Sequence, residues 1–522
     1  MLSRLNYRKY YPWFVFLLSL TLYMANIGGS SIYILDEAKN STCAVEMLQR
    51  GDLIVPTFNH ELRTDKPPLH YFFMMLSYII FGINPFAARF FSAVFGALTM
   101  LLTFLFVRRF ASSKAAWWSV FVLLSSIHLS IQFHLAVPDP YLIFFITSSV
   151  YFFYLALKDK RWKYLLALYV SIGLGALAKG PIAIGLPGLI FLLFLIFSKR
   201  FKSREIKQLK PFLGSIIVLI IALPWYVLVH LKTNGAWTEA FFMKHNLGRF
   251  ASPMEGHGGL FFMTVLFVLA GLFPFSAFIV QALKKAFQQR KNDFFLLNLV
   301  AGFTIVVFFA ISRTKLPNYT IPAYPYFAIL IGLWICQLDF KTARLNASMI
   351  VLLVIGLIIP PTLFVVMKYF PNLSFVNTLA WYFIPLPIGF LLAFLSSMKG
   401  RKKAALYLIG ATTMMTSLMF FCQVFPKVDQ QNPVSQSIDL LKGKELRYYE
   451  RYNPAYCFYI HHEIKRIDSN DFTAFFEKYP NGVIISTKKE IDELRLPKPI
   501  KISFSKHNLF EPRTTVLVTK QP

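Results

Sequence analysis

Two neighbouring carboxylates, Asp36 and Glu37, stand in the run Tyr33-Ile-Leu-Asp-Glu-Ala-Lys39, just past the first apolar stretch. Adjacent carboxylates at a membrane surface are costly to desolvate, which makes both candidates for acid/base work or for holding a cation. The competing structural reading has Asp36 capping a short surface helix that runs toward Arg50. Asp65 follows in Asp65-Lys66-Pro67-Pro68, where the prolines stiffen the backbone that presents the acid and the base. A lysine fixed at a membrane surface suits a phosphate as a compact point charge, although lysines also snorkel at helix starts. Asp139, between Pro138 and Pro140, reads either as a turn initiator or as a second outward-facing acid. Two such acids from separate loops suit holding a polar substrate and deprotonating the group that attacks it.

Residues 232–258 hold Lys244, His245, Asn246, Arg249, Glu255 and His257 among Phe241, Phe242 and Phe250. Such an aromatic and basic loop is commonly an interfacial anchor. Its histidines, with Asp65 or Glu255, also have the donor chemistry that zinc takes, though their spacing matches no recognised metal motif. The run Ser312-Arg-Thr-Lys-Leu-Pro-Asn-Tyr319 adds Arg313, Lys315 and Tyr319. Cationic loops gathered beside an acidic one suit an anionic ligand, held by Lys and Arg next to carboxylates that act on it. No Gly-rich phosphate loop occurs, so no nucleotide cofactor is expected.

The elements that must position these residues are apolar. Of the 522 residues 56% are hydrophobic and only 15% charged, a composition that places most of the chain in lipid. Thirteen spanning helices are expected, over 11–27, 85–107, 116–134, 140–157, 162–178, 181–197, 211–231, 259–283, 294–312, 319–338, 346–367, 376–397 and 404–425. The first follows Arg4, Arg8 and Lys9 without a small-residue cleavage site, and is expected to be retained. Residues 69–81 are also apolar, but they are few for a span, include His70 and follow two prolines. If they lie on the surface, the basic clusters at 108–109, 158–163, 199–210, 284–291, 341–344 and 399–403 all fall on one side, as the positive-inside rule requires. The formal charge of +29 is therefore read as topology and not as an affinity for nucleic acid. That choice puts the N-terminus in the cytoplasm and the first loop, 28–84, outside with Asp36, Glu37, Glu46, Asp52, Glu61 and Asp65. The four cysteines form no CxxC pair and set no redox framework. Residues 426–522 break the apolar pattern. Alternation over 481–487 and 514–519 predicts strands, and 471–478 a helix, giving a small soluble α/β domain on the outer side after a membrane domain spanning 1–425.

Asp36-Glu37, Gly51-Asp52, Pro56, Asp65-Lys-Pro-Pro-Leu69 and Phe81-Gly-Ile-Asn-Pro-Phe-Ala-Ala-Arg89 together resemble the bacterial lipid A aminoarabinose transferases and the protein O-mannosyltransferases, which are C-type glycosyltransferases. Ala178-Lys-Gly-Pro181, His245-Asn-Leu-Gly-Arg-Phe250 and Ser312 to Tyr319 extend the resemblance over most of residues 10–330. It implies a thirteen-helix membrane domain with surface helices in its first outer loop and a periplasmic C-terminal domain, in the inner membrane. It further implies a polyprenyl-phosphate (undecaprenyl-phosphate) sugar donor and an acceptor that is lipid A or an exported protein. Asp36 matches the family's base, Lys66 its carrier-phosphate lysine, and Arg249 and Tyr319 further contacts to that phosphate. Lys315 and Lys39 would add charge; Lys39 replaces the family's usual arginine and lacks the bidentate fork. Asp65 replaces a common Glu, and the zinc that this acid shares with a histidine in the aminoarabinose transferases would fall to His245 or His257. A flippase of lipid-linked sugars would need ionisable residues along a path inside the spans, and ideally repeat symmetry; the spans hold almost none and no repeat is seen.

Overall fold

The computed structural model describes residues 10–248, 259–343, 345–370, 373–494, 496 and 499–521. The chain is mostly helical, and helical structure falls within each of the thirteen ranges expected to span, as one helix or as two. Among the described residues, eight helices are long and apolar enough to cross a membrane, or ten when each of two sharply bent pairs counts as one span. The rest, Tyr11–Tyr23, Ile182–Phe197 and Trp162–Lys179, are short or carry lysines at their ends. These helices make the protein a multi-pass membrane protein.

Two expected spans are broken. Ser113–Leu124 and Ile127–Phe133 meet at 72°, and Met263–Gly271 meets Phe275–Gln288 at 110°. The second break lies where Tyr324 presses on Gly271, so closely that a Cβ there would fall 1.7 Å from the Tyr324 hydroxyl. Tyr324 donates to the Phe267 carbonyl (3.1 Å) and lies 2.9 Å from His128 Nδ1, which ties the two bends together. Leu69–Phe81 is a thirteen-residue helix, one of three apolar helices among the described residues that are shorter than the long candidate spans, with Tyr11–Tyr23 and Ile182–Phe197.

The first loop carries the helix Leu35–Arg50, ended by Gly51 at φ 64°, and a small hairpin of β1 (Thr57–Phe58) and β2 (Glu61–Leu62). Beyond the last long helix a five-stranded sheet runs in the order β4-β3-β5-β7-β6, formed by β3 (Leu446–Tyr448), β4 (Lys465–Arg466), β5 (Val483–Thr487), β6 (Ile500–His507) and β7 (Thr514–Lys520). The two expected strands are β5 and β7, which pair antiparallel, and the expected helix is Phe472–Lys478. One sheet face has its own apolar core around Phe472, Ile484 and Val518. On the other side Leu446, Tyr456 and Leu517 join one core with Tyr33, Val45 and Tyr71 of the first loop. The C-terminal region is thus packed onto the loop that carries the candidate acids.

Candidate active site

Asp36 and Glu37 occupy the first turn of Leu35–Arg50, where negative charge complements the helix dipole, but no side chain caps this helix. The pair divides sharply. Asp36 is exposed and makes no hydrogen bond or ion pair among the described residues. Glu37 is fully buried, and Arg89 holds it from two nitrogens, Nε to Oε1 at 2.6 Å and Nη2 to Oε2 at 2.8 Å. The Ala136 amide donates to the same Oε1 at 2.9 Å. Arg89 also donates to the carbonyls of Ile27, Ser30 and Ser31. Glu37 therefore corrects the expectation of two reactive carboxylates: its oxygens are engaged inside the protein, and Asp36 alone of the pair faces solvent.

Asp65 lies between His245 and Arg63. Its Oδ1 is 3.0 Å from His245 Nε2 and its Oδ2 3.3 Å from Arg63 Nη2. Burial alone would push this carboxyl up, but Arg63, Lys66, His245 and Lys39 together hold it below the usual carboxylate range. Arg63 is itself buried and fixed by Asn40 Oδ1 (3.0 Å), while Trp237 Nε1 donates to its carbonyl (2.9 Å). His245 sits on the wide helical segment Ala240–Gly248, beside Thr64.

Asp139 begins the helix Asp139–Asp159, and its Oδ1 accepts from Lys179 Nζ at 2.8 Å and from Asn318 Nδ2 at 3.0 Å. Through Oδ1 this acid orients a lysine and an amide. Lys179 ends Trp162–Lys179; Gly180 then turns the chain at φ 78°, where a Cβ would strike the Phe241 ring at 2.5 Å. The Lys179 ammonium lies 5.6 Å above the Tyr319 ring, and Tyr319 packs on Phe309.

These groups line a cavity of about 440 Å3. Asp65, Lys66, Asp139, Lys179, His245, Asn318 and Tyr319 form its polar part, and Leu142, Ile182, Leu186, Phe241, Phe308 and Phe309 its apolar wall. Five separate segments converge there; Asp65 and Lys66 represent the first loop in the lining, and Asp36 is not part of it. Lys315 does not join them: it is buried, and its ammonium donates to the carbonyls of Ala310 (2.9 Å) and Ser312 (2.7 Å). Lys39, one turn beyond Asp36, is half-buried near Asp65. Arg249 and His257 lie outside the described residues.

Asp65 and His245 have the donor chemistry of a zinc site, yet no group of three His, Cys, Asp or Glu side chains able to hold a metal occurs among the described residues. A catalytic zinc takes about three protein ligands, so these residues fit it only in part.

The residues that sequence reasoning passed over are Arg63, Lys179 and Asn318. A lysine at the end of an apolar run reads as an interfacial anchor, and only the fold sets Lys179 against Asp139. Its signal was the Gly-Pro that follows, which fixes a tight turn.

Residues 65–228 match a family model described as dolichyl-phosphate-mannose-protein mannosyltransferase. An uncharacterised protein of Aquifex aeolicus is 30% identical over 343 residues, covering 65% of this chain and 77% of its own length. The undecaprenyl phosphate-alpha-4-amino-4-deoxy-L-arabinose arabinosyl transferase of Yersinia pestis is 27% identical over 349 residues, which is 64% of this chain. The chain spans 61% of that enzyme's length, less than two thirds. The crystal structure of ArnT from Cupriavidus metallidurans bound to undecaprenyl phosphate shares the fold, with a TM-score of 0.80 at 20% identity over 97% of both chains.

Proposed function

The chain belongs to the C-type membrane glycosyltransferases, and from that premise we propose that it transfers a sugar from an undecaprenyl-phosphate or related polyprenyl-phosphate donor to an acceptor, most simply lipid A, at the outer face of the inner membrane. The observation that carries this reading is the cavity that sets Lys66, Lys179 and Tyr319 beside an apolar wall. An amphiphile with a phosphate head matches both halves, since the cations answer the phosphate and the aromatic and aliphatic side chains the prenyl tail.

In the proposed reaction Asp36 accepts the proton of an acceptor hydroxyl or phosphate, whose oxygen forms a bond to the anomeric carbon with inversion. The bond from that carbon to the carrier phosphate oxygen breaks, and the phosphate leaves with the electron pair. Lys66 and Lys179, with Tyr319, Lys39 and Arg249, stabilise the charge that grows on it. Asp139 holds Lys179 in place, and Asp65 keeps Lys66 and His245 oriented. A zinc ion held by Asp65, His245 and His257 would neutralise the acid beside the phosphate; no step depends on it. The thirteen expected helices would all cross, with the N-terminus cytoplasmic, and residues 426–522 would form a periplasmic domain.

Lys179→Ala is expected to raise the KM for donor about tenfold, in line with the loss of one charge-assisted hydrogen bond, while Lys179→Arg retains most of the affinity. An unaltered KM in Lys179→Ala would remove this lysine from the carrier site. A second reading, transfer to Ser or Thr of exported proteins, draws on the mannosyltransferase family match. Mass spectrometry of lipid A and of exported proteins from cells with and without the chain separates the two. The expected result is a sugar-sized mass lost from lipid A on deletion; loss from neither pool refutes the proposed transfer.

A further inference from the structure

Three consecutive residues lead into the Asp36 helix, and the C-terminal region grips each one. The Ser31 amide and hydroxyl donate to Asp429 Oδ2 (2.7 Å) and Oδ1 (2.8 Å), and Asn432 Nδ2 donates to the Ser31 hydroxyl at 3.0 Å. The Ile32 amide donates to the Tyr459 hydroxyl at 2.7 Å. The Tyr33 hydroxyl accepts from the Leu509 amide at 3.1 Å, and its ring packs against Phe510 at 5.9 Å. The partners come from the helix Phe425–Asp429, the helix Ala455–Ile460 and the connection between β6 and β7.

The lead-in is also held by burial, with Ile32 and Tyr33 in the core that the first loop shares with the C-terminal region. Ile34 is extended, at φ −62° and ψ 132°, and no side chain caps the helix start. From below, Arg89 donates to the Ser31 carbonyl (2.8 Å) and clamps Glu37, so the segment is pinned between Arg89 and the C-terminal region. Among the described residues, Asp36 itself has no hydrogen-bond or ion-pair partner that would set its place. The cavity that holds Lys66, Lys179 and Tyr319 is built from other segments.

We propose that Asp429 and Tyr459 are positioning residues for Asp36: by holding the backbone of Ser31 and Ile32 they fix the start of its helix, which makes the C-terminal region part of the catalytic machinery although it supplies no reacting group. This inference rests on the reading of Asp36 as the base. A misplacement of about 1 Å at a reacting group can cost on the order of a hundredfold in rate, so partial loosening at one of several grips is expected to cost less.

The test uses the full-length protein in proteoliposomes, with Tyr459→Phe, which deletes only the acceptor hydroxyl, and Asp429→Ala. Transfer from undecaprenyl-phosphate sugar is measured together with deuterium uptake of the peptide 28–40. Turnover about tenfold lower with a KM for donor within about twofold of the parent is expected. Faster exchange confined to 28–40 is expected alongside it. Unchanged turnover in both variants overturns the inference, as does a fall in turnover accompanied by faster exchange throughout the spans, which marks general destabilisation. The exchange readout is independent of the chemistry: if Asp36→Asn proves active, the base assignment fails while the grip on residues 31–33 is still scored by uptake.

Discussion

Asp36→Asn is expected to lower turnover by about a thousandfold while leaving undecaprenyl-phosphate binding and thermal unfolding close to those of the parent. A positioned general base contributes on the order of 10²–10⁴-fold, and the amide cannot accept the proton. The substitution is nearly isosteric at an exposed position that makes no hydrogen bond or ion pair among the described residues, so the loss should appear in kcat and not in stability. Single-turnover transfer from a labelled donor, together with a binding isotherm for undecaprenyl phosphate, checks both halves. Turnover within a factor of about three of the parent would exclude Asp36 as the base.

Arg89→Met should produce the largest loss of stability. It leaves the fully buried Glu37 carboxylate with the Ala136 amide as its one remaining partner among the described residues, and removing one member of a buried ion pair costs about 3–5 kcal/mol. The same side chain also satisfies three carbonyls, so its loss opens the lead-in to the Asp36 helix as well. Thermal unfolding in detergent should show a marked drop, and adding Glu37→Gln should recover part of it because the uncompensated charge is then gone. A double variant no better than Arg89→Met would mean that the arginine acts through its carbonyl contacts alone.

Much of this architecture was legible in the sequence because hydrocarbon imposes strong rules. Long apolar runs, basic clusters and two prolines before residues 69–81 were enough to place a helix on every expected range. The types of Asp65, Lys66 and Tyr319, which line the cavity, were also legible as candidate ligands of an anion. What the sequence did not disclose were the pairings. Glu37 and Arg89 are 52 positions apart, Lys179 and Asp139 are 40 apart, and neither spacing carries a period. The neighbouring acids Asp36 and Glu37 look equivalent on paper, yet successive residues on a helix point about 100° apart, which here means solvent for one and the interior for the other. Lys315 misled for a related reason: its charge counted toward a phosphate site, but the chain bends so that its ammonium satisfies carbonyls left over at a helix end. The bends at residues 125 and 272 were hidden because hydropathy reports apolarity and not direction.

The bond between Ser31 and Asp429 joins residues 398 positions apart. At roughly 5–20 residues per second, a ribosome needs about 20–80 s between making one and making the other. Throughout that interval the segment before Asp36 is held from the Arg89 side alone, so in a chain still being translated the start of the Asp36 helix is only half secured.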